Sequence, residues 1–232
     1  MKTGIIGAME SEVELLKEQL EGAAATTVAG MEFCEGKLGG ADVVVVQSGI
    51  GKVNAGICVQ VLVDRFGVDR VINTGVAGSL DERLDVGDLV VSTDCVMHDF
   101  DVTPLGYAPG QVPGLDVLAF PADAGMREAV AAAAAEVAPD IKALPGRVVS
   151  GDQFISTPEQ KERILATFGG SCCEMEGCAI AQAAYLNGVP FVVVRAISDK
   201  PGAADQVVDY NTFEKKAAHD CARIVARMVS AN

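Results

Sequence analysis

Three carboxylates stand where proton transfer or a grip on a polar ligand could be put to use. Glu12 follows the apolar run TGIIGAM at 3–9 and lies in the first turn of a helical period. The positive end of a helix dipole keeps a carboxylate ionised there, which suits a proton acceptor and equally an ordinary first-turn glutamate. Glu176 follows Met175, between an apolar strand and a helix of small residues. Acids in such surroundings are rare unless paired or functional. Asp199 ends the run PFVVVRAISD at 190–199, four residues after Arg195. There an Arg–carboxylate pair would serve structure as readily as chemistry.

Two glycine loops accompany them, one carrying Gly49, Gly51 and Lys52, the other Gly75 and Gly78. Glycine lets backbone approach a ligand, and free amides there can hold polar oxygens. The dinucleotide fingerprint would need Gly or Ala where Asn54 stands, and the nucleotide-triphosphate loop has the wrong spacing. Tight strand–helix turns remain the plain alternative. His98 has no second histidine near it and reads as structural or pocket-lining; His219 reads as a helix residue.

These residues need strand ends to hold them. The run at 3–9 predicts a strand, followed by a helix with Ser11 and Glu14 as a capping box and Gly22 as its stop. Segments 28–38 and 41–49 predict strands joined at Gly39-Gly40, and 51–67 a helix ended by Gly67. Strands are expected at 69–78 and 87–102, then a Pro- and Gly-rich loop over 103–120 and an Ala-rich helix over 125–138. A strand at 146–155 precedes a helix opened by Thr157, Pro158 and Gln160 and closed near Gly169. A short strand at 172–176 feeds a helix at 177–187, strand 190–199 follows, and the last helix is expected near Asn211 with Glu214 as capping partner. This alternation predicts an α/β fold in three layers, α/β/α, with a mixed, mostly parallel central sheet, as one domain over 1–232. Ligands bind outside the carboxyl ends of strands in such sheets, so the polar and Gly-rich strand exits point to one shared pocket.

The 232 residues carry a net charge of −14, which repels phosphate backbones and anionic surfaces. Nucleic acid and membranes are excluded as partners on that ground, and a small neutral or zwitterionic molecule remains. No run reaches the roughly 18 apolar residues of a membrane span, and the N-terminal run is too short for a signal peptide. Seven cysteines, an odd count without C-x-x-C spacing, indicate a reduced, cytoplasmic setting. With two histidines, no transition-metal site is expected, and no cofactor.

Taken in order, GIIGAMESEVELL, SGIGKVNA, INTGVAGSL, VGDLVVS, HDFDVTPLGYAPGQVPG, VSGDQFI, EMEGCAIA and VPFVVVRAISD resemble the 5′-methylthioadenosine/S-adenosylhomocysteine nucleosidases from about residue 3 to 225. The resemblance implies the nucleoside phosphorylase-like fold and a homodimer. It also implies hydrolysis of those adenine nucleosides, with 5′-deoxyadenosine as a further candidate, to adenine and a 5′-substituted ribose, in methionine salvage. Glu12 matches the water-activating glutamate, Glu176 the residue that grips the ribose hydroxyls, and Asp199 the acid that protonates adenine N7. Arg195 matches a residue near the water. Phe154 and Ile155 match the purine site, and Met175 would pack on the sugar. Met9, Ile50 and Val102 would line the 5′-thio end, Tyr107 would reach a neighbouring subunit's site, and Tyr210 would be a pocket aromatic. Val76 stands where some members have serine, and Leu105 where some have an aromatic residue.

Three other readings remain at this level. A purine nucleoside phosphorylase would attack with phosphate, which needs Arg or Lys where Glu12 is expected. An aminodeoxyfutalosine-type nucleosidase would differ in the 5′ pocket, drawn from segments 102–114 and 200–213. A non-catalytic adenine-nucleoside sensor would keep the pocket without the chemistry.

Overall fold

The computed structural model describes residues 1–231. In chain order the elements are β1 (Thr3–Gly7), α1 (Glu10–Glu18), β2 (Glu21–Val28), β3 (Met31–Leu38), β4 (Ala41–Gln47), α2 (Lys52–Phe66), β5 (Arg70–Ser79) and β6 (Leu89–Met97). After a short 3-10 turn at Thr103–Leu105 come β7 (Phe120–Pro121), α3 (Ala124–Val137), β8 (Ala143–Ser150), α4 (Pro158–Phe168), β9 (Cys172–Glu174), α5 (Gly177–Asn187), β10 (Phe191–Asp199) and α6 (Gln206–Ser230).

All strands join one mixed sheet in the order β10-β6-β8-β9-β5-β1-β4-β3-β2, with β7 on β6. β10 also pairs with β5, so β10, β6, β8, β9 and β5 close on themselves. β5 runs parallel to β1 and β10, β1 to β4, and β8 to β6 and β9; the remaining pairs are antiparallel. Unbroken Val and Ile runs suit strands covered on both faces. Val43 and Val45 belong to one core with Ile5, Val192, Val194 and the inner face of α6. Val44 and Val46 belong to the other with Ile6, Val193 and residues of α2 and α5. That two-residue alternation, applied to side chains buried on both sides, produces the three layers.

Local chemistry explains several ends. Gly39 and Gly40 take φ of 56° and 87°, the left-handed pair a two-residue hairpin needs, and Leu38 pairs with Ala41 across it. Thr157 and Gln160, the expected helix start, form a capping box, and Gly67 and Gly169 end their helices in the left-handed conformation.

Four expectations are corrected. The first helix is capped at Met9, and Glu12, not Glu14, returns its carboxylate to the cap backbone. It ends at Gln19, and Gly22 lies inside β2, an exposed edge strand that has no apolar alternation to announce it. The strand expected over 87–102 spans only Leu89–Met97. The last helix starts at Gln206, five residues before Asn211, because Gln206 is anchored by tertiary hydrogen bonds.

Candidate active site

One cavity opens at the strand ends, of about 580 Å3 counting its solvent-filled mouth. Its walls include Met9, Glu12, Ile50, Val76, Phe154, Ile155, Met175, Glu176, Arg195, Asp199 and Tyr210. The chain thus brings eleven sequence-predicted residues together. Val102 is a correction: it does not line the cavity of its own chain, because its Pro- and Gly-rich segment runs along the surface elsewhere; Tyr107, expected at a neighbouring subunit's site, is likewise outside this cavity. Leu105 is three-quarters exposed on the same segment.

Glu12 projects from the first turn of α1 and is fully buried. Its Oε2 accepts from the backbone N–H groups of Ala8 (2.6 Å) and Met9 (3.0 Å), and Oε1 from that of Val76 (3.0 Å). Gly75 makes this approach possible: a Cβ there would overlap the Glu12 carboxylate and the Arg195 guanidinium. Burial raises the Glu12 pKa above the usual carboxylate value, opposed by Arg195 and the three backbone donors.

Arg195 is 1 % exposed and points from β10 into a nest of acids. It bonds Glu174 through Nη2, and Nη2 also donates to Asn73 Oδ1 at 2.5 Å. Glu12 Oε1 and Glu176 Oε2 stand 3.7 and 3.8 Å from the guanidinium, close enough for attraction but without a hydrogen bond. Glu176, at the start of α5, instead accepts from Gly51 N at 2.8 Å. Burial, then the charge of Glu174, push its pKa up to about 7.

The structural alternative, a pair between Arg195 and Asp199, is absent. Asp199 is bonded by Ser198 Oγ (2.7 Å) and by Gln206 Nε2 (2.7 Å), which also donates to Ile155 O (2.8 Å). Burial raises its pKa, and Arg195 takes no part in the shift. A β-bulge between Ile197 and Asp199 turns the strand end. Apolar side chains complete the wall. Phe154 and Tyr210 meet edge to face at 5.7 Å, and Tyr210 OH lies 3.5 Å from Met9 Sδ.

Sequence reasoning missed Glu174, Gln206 and Ser198. Glu174 carries the same signal as Glu176, an acid at the end of an apolar strand, two positions earlier. His98 is buried against Gly151, outside the cavity, with neither ring nitrogen hydrogen-bonded among the described residues.

Comparison with known proteins agrees with this geometry. The phosphorylase superfamily model matches residues 2–230. A 5′-methylthioadenosine/S-adenosylhomocysteine nucleosidase of Geobacillus kaustophilus is 45 % identical over 231 residues, 99 % of this chain and 97 % of that protein. The crystal structure of such a nucleosidase from Colwellia psychrerythraea, in complex with adenine, superposes with a TM-score of 0.94 at 43 % identity, covering 99 % of this chain and 94 % of that one. That of Neisseria meningitidis, in complex with methylthio-immucillin-A, reaches 0.95 at 39 % identity over 100 % and 99 %.

Proposed function

We infer how this cavity works from one premise: the chain belongs to the 5′-methylthioadenosine/S-adenosylhomocysteine nucleosidases of the phosphorylase superfamily. Its reaction is hydrolysis of the N-glycosidic bond of those nucleosides to adenine and the 5′-thioribose, a step of methionine salvage. The assignment of residues to that reaction is our proposal, as are a single domain over 1–232 and a homodimer.

Adenine leaves poorly as an anion and well once N7 is protonated. Asp199 is the donor. Its burial and its distance from the Arg195 charge favour the protonated carboxyl that the step consumes. Ile155 supplies backbone hydrogen bonds to the purine edge, and Phe154 stacks on its face. As the bond breaks, positive charge grows on the sugar, as in other glycoside hydrolyses. Glu176 grips the ribose hydroxyls and, when ionised, favours that cation; Met175 packs on the sugar. Glu12 takes the proton from the attacking water, with Arg195 beside it. A raised pKa makes a carboxylate a stronger base, which suits this role. The 5′ group lies against Met9, Ile50, Val76 and Tyr210.

One observation carries the choice of water over phosphate. The attacking position is flanked by Glu12, and the guanidinium there is already shared among three glutamates. A phosphate dianion would meet net negative charge. Purified protein given methylthioadenosine is therefore expected to release adenine at the same rate with and without phosphate. Strict phosphate dependence would favour the phosphorylase reading.

A further inference from the structure

We propose that Glu174 is a positioning residue for this reaction: it takes Arg195 for itself and orders the turn that presents Glu176, leaving Glu12 and Glu176 beside the guanidinium without hydrogen bonds to it. The inference rests on the nucleosidase reading above and adds a residue that touches no substrate in it.

The geometry is specific. Both oxygens of Glu174 are fully used. Oε1 accepts from Ser150 Oγ. Oε2 accepts from Glu176 N (3.0 Å), Gly177 N (2.7 Å) and Arg195 Nη2. The first two donors are the opening amides of α5, so the carboxylate caps that helix and fixes the backbone of Glu176. Ser150 Oγ in turn accepts from Cys178 N at 2.7 Å, which ties β8 to the same turn.

Charge balance gives the consequence. Three buried glutamates surround one cation. Glu174 and Arg195 together are neutral, so Glu12 and Glu176 share a water-poor wall with no net counter-charge. Other titratable groups packed around them do not alter the balance. Cys172, Cys178 and Cys221 are buried thiols with raised pKa values, and the Tyr210 hydroxyl is pushed up to about 12, so all four are uncharged. Asp199 lies across the cavity, with a raised pKa of its own. Beyond Glu174, Lys52 and Asp99 are paired at 2.7 Å, and burial holds His98 neutral. Glu174 thus makes Arg195 a weak counter-ion for the two glutamates that work on water and ribose. Glu12 is then held above the ordinary carboxylate range, and Glu176 is pushed up to about 7.

Glu174→Gln tests this. It keeps the shape and removes the charge that Arg195 answers, so the guanidinium turns its full charge on Glu12 and Glu176. The acid limb of kcat/KM for methylthioadenosine, which reports the free enzyme's essential base, is expected to move down by about one pH unit. KM is expected to rise several-fold as the turn at Glu176 loosens. A merely structural glutamate would lower stability and rate with the limb in place, and an unmoved limb overturns the proposal. If that variant does not fold, the double variant Glu174→Gln/Arg195→Gln decides. It replaces a neutral pair by a neutral pair, so its slower reaction should keep the wild-type limb, and a limb displaced by about a unit or more overturns the proposal. Wild-type protein that releases no adenine would sink the nucleosidase reading, and this inference with it.

Discussion

Glu176 shows what a ribose grip costs the fold. Its pKa is pushed from the ordinary 4.5 up to about 7, first by burial and second by Glu174. The folded value lies above the unfolded one, so the carboxyl favours folding below about pH 4.5, and that stability is lost as pH rises through 7. Glu176→Gln removes the titration while keeping an acceptor for Gly51 N. Its melting temperature should match the wild type near pH 4.5 and exceed it at pH 8 by an amount worth about 1–3 kcal/mol, at about 2–4 °C per kcal/mol. Adenine release should fall at every pH. A melting difference constant from pH 4.5 to 8 would contradict the assignment. At this scale the sequence pointed to Glu12, Glu176, Arg195 and Asp199 as chemical candidates, because acids and Arg beside apolar runs are conspicuous. It left the pairing open. Arg195 and Asp199 are neighbours in β10, but the guanidinium reaches Glu174 on β9 and the carboxylate reaches Gln206 on α6. Only the register between strands decides which acid Arg195 meets.

Among the elements, β5 sets the tolerance of the site. The strand expected over 69–78 runs through the motif NTGVAGSL: Asn73 to Ser79 are strand residues, buried throughout, so the glycine loop read at Gly75 and Gly78 is strand instead. Gly75 has no side chain because Glu12 and Arg195 occupy that space. Gly75→Ala should therefore lower adenine release by about 100-fold or more, since sub-ångström placement of the reacting groups governs rate. Urea unfolding should still be cooperative, as Glu12 can shift toward the open cavity. A fully active Gly75→Ala enzyme would show that Glu12 is not held where the chemistry requires. Turns and caps were readable because their residues act locally: Gly39-Gly40, Thr157 with Gln160, Gly67. β2 and the first turn of α6 were not. The segment EGAAATTV has nearly every side chain exposed and is a strand only because β3 offers it an edge. Gln206 opens α6 because Asp199 and Ile155 wait for its amide.

Across the whole molecule, the net charge of −14 contrasts with an apolar face. Val53 on α2 and Leu186 on α5 are 73 % and 61 % exposed and border one shallow depression with Gly56, Phe100 and Ala183. Gln60 and Asn187 bond across the two helices. Exposed apolar residues gathered in one patch mark an interaction surface, and a second copy of the chain fits the homodimer proposed above. The face is coupled to the site. α2 begins one residue after Gly51, whose N–H bonds Glu176, and Ile50 lines the cavity. Val102 and Tyr107 lie outside their own cavity, free to complete another. The paired substitution Val53→Glu and Leu186→Glu places like charges against each other in a symmetric interface. It should give a monomer in sedimentation, with the melting transition still cooperative. KM for methylthioadenosine should rise more than kcat falls, because the residues lost belong to the 5′ end and not to Glu12, Asp199 or Glu176. A monomer with wild-type kinetics would leave the dimer as packing alone and would assign the 5′ group entirely to Met9, Ile50 and Tyr210 of the same chain.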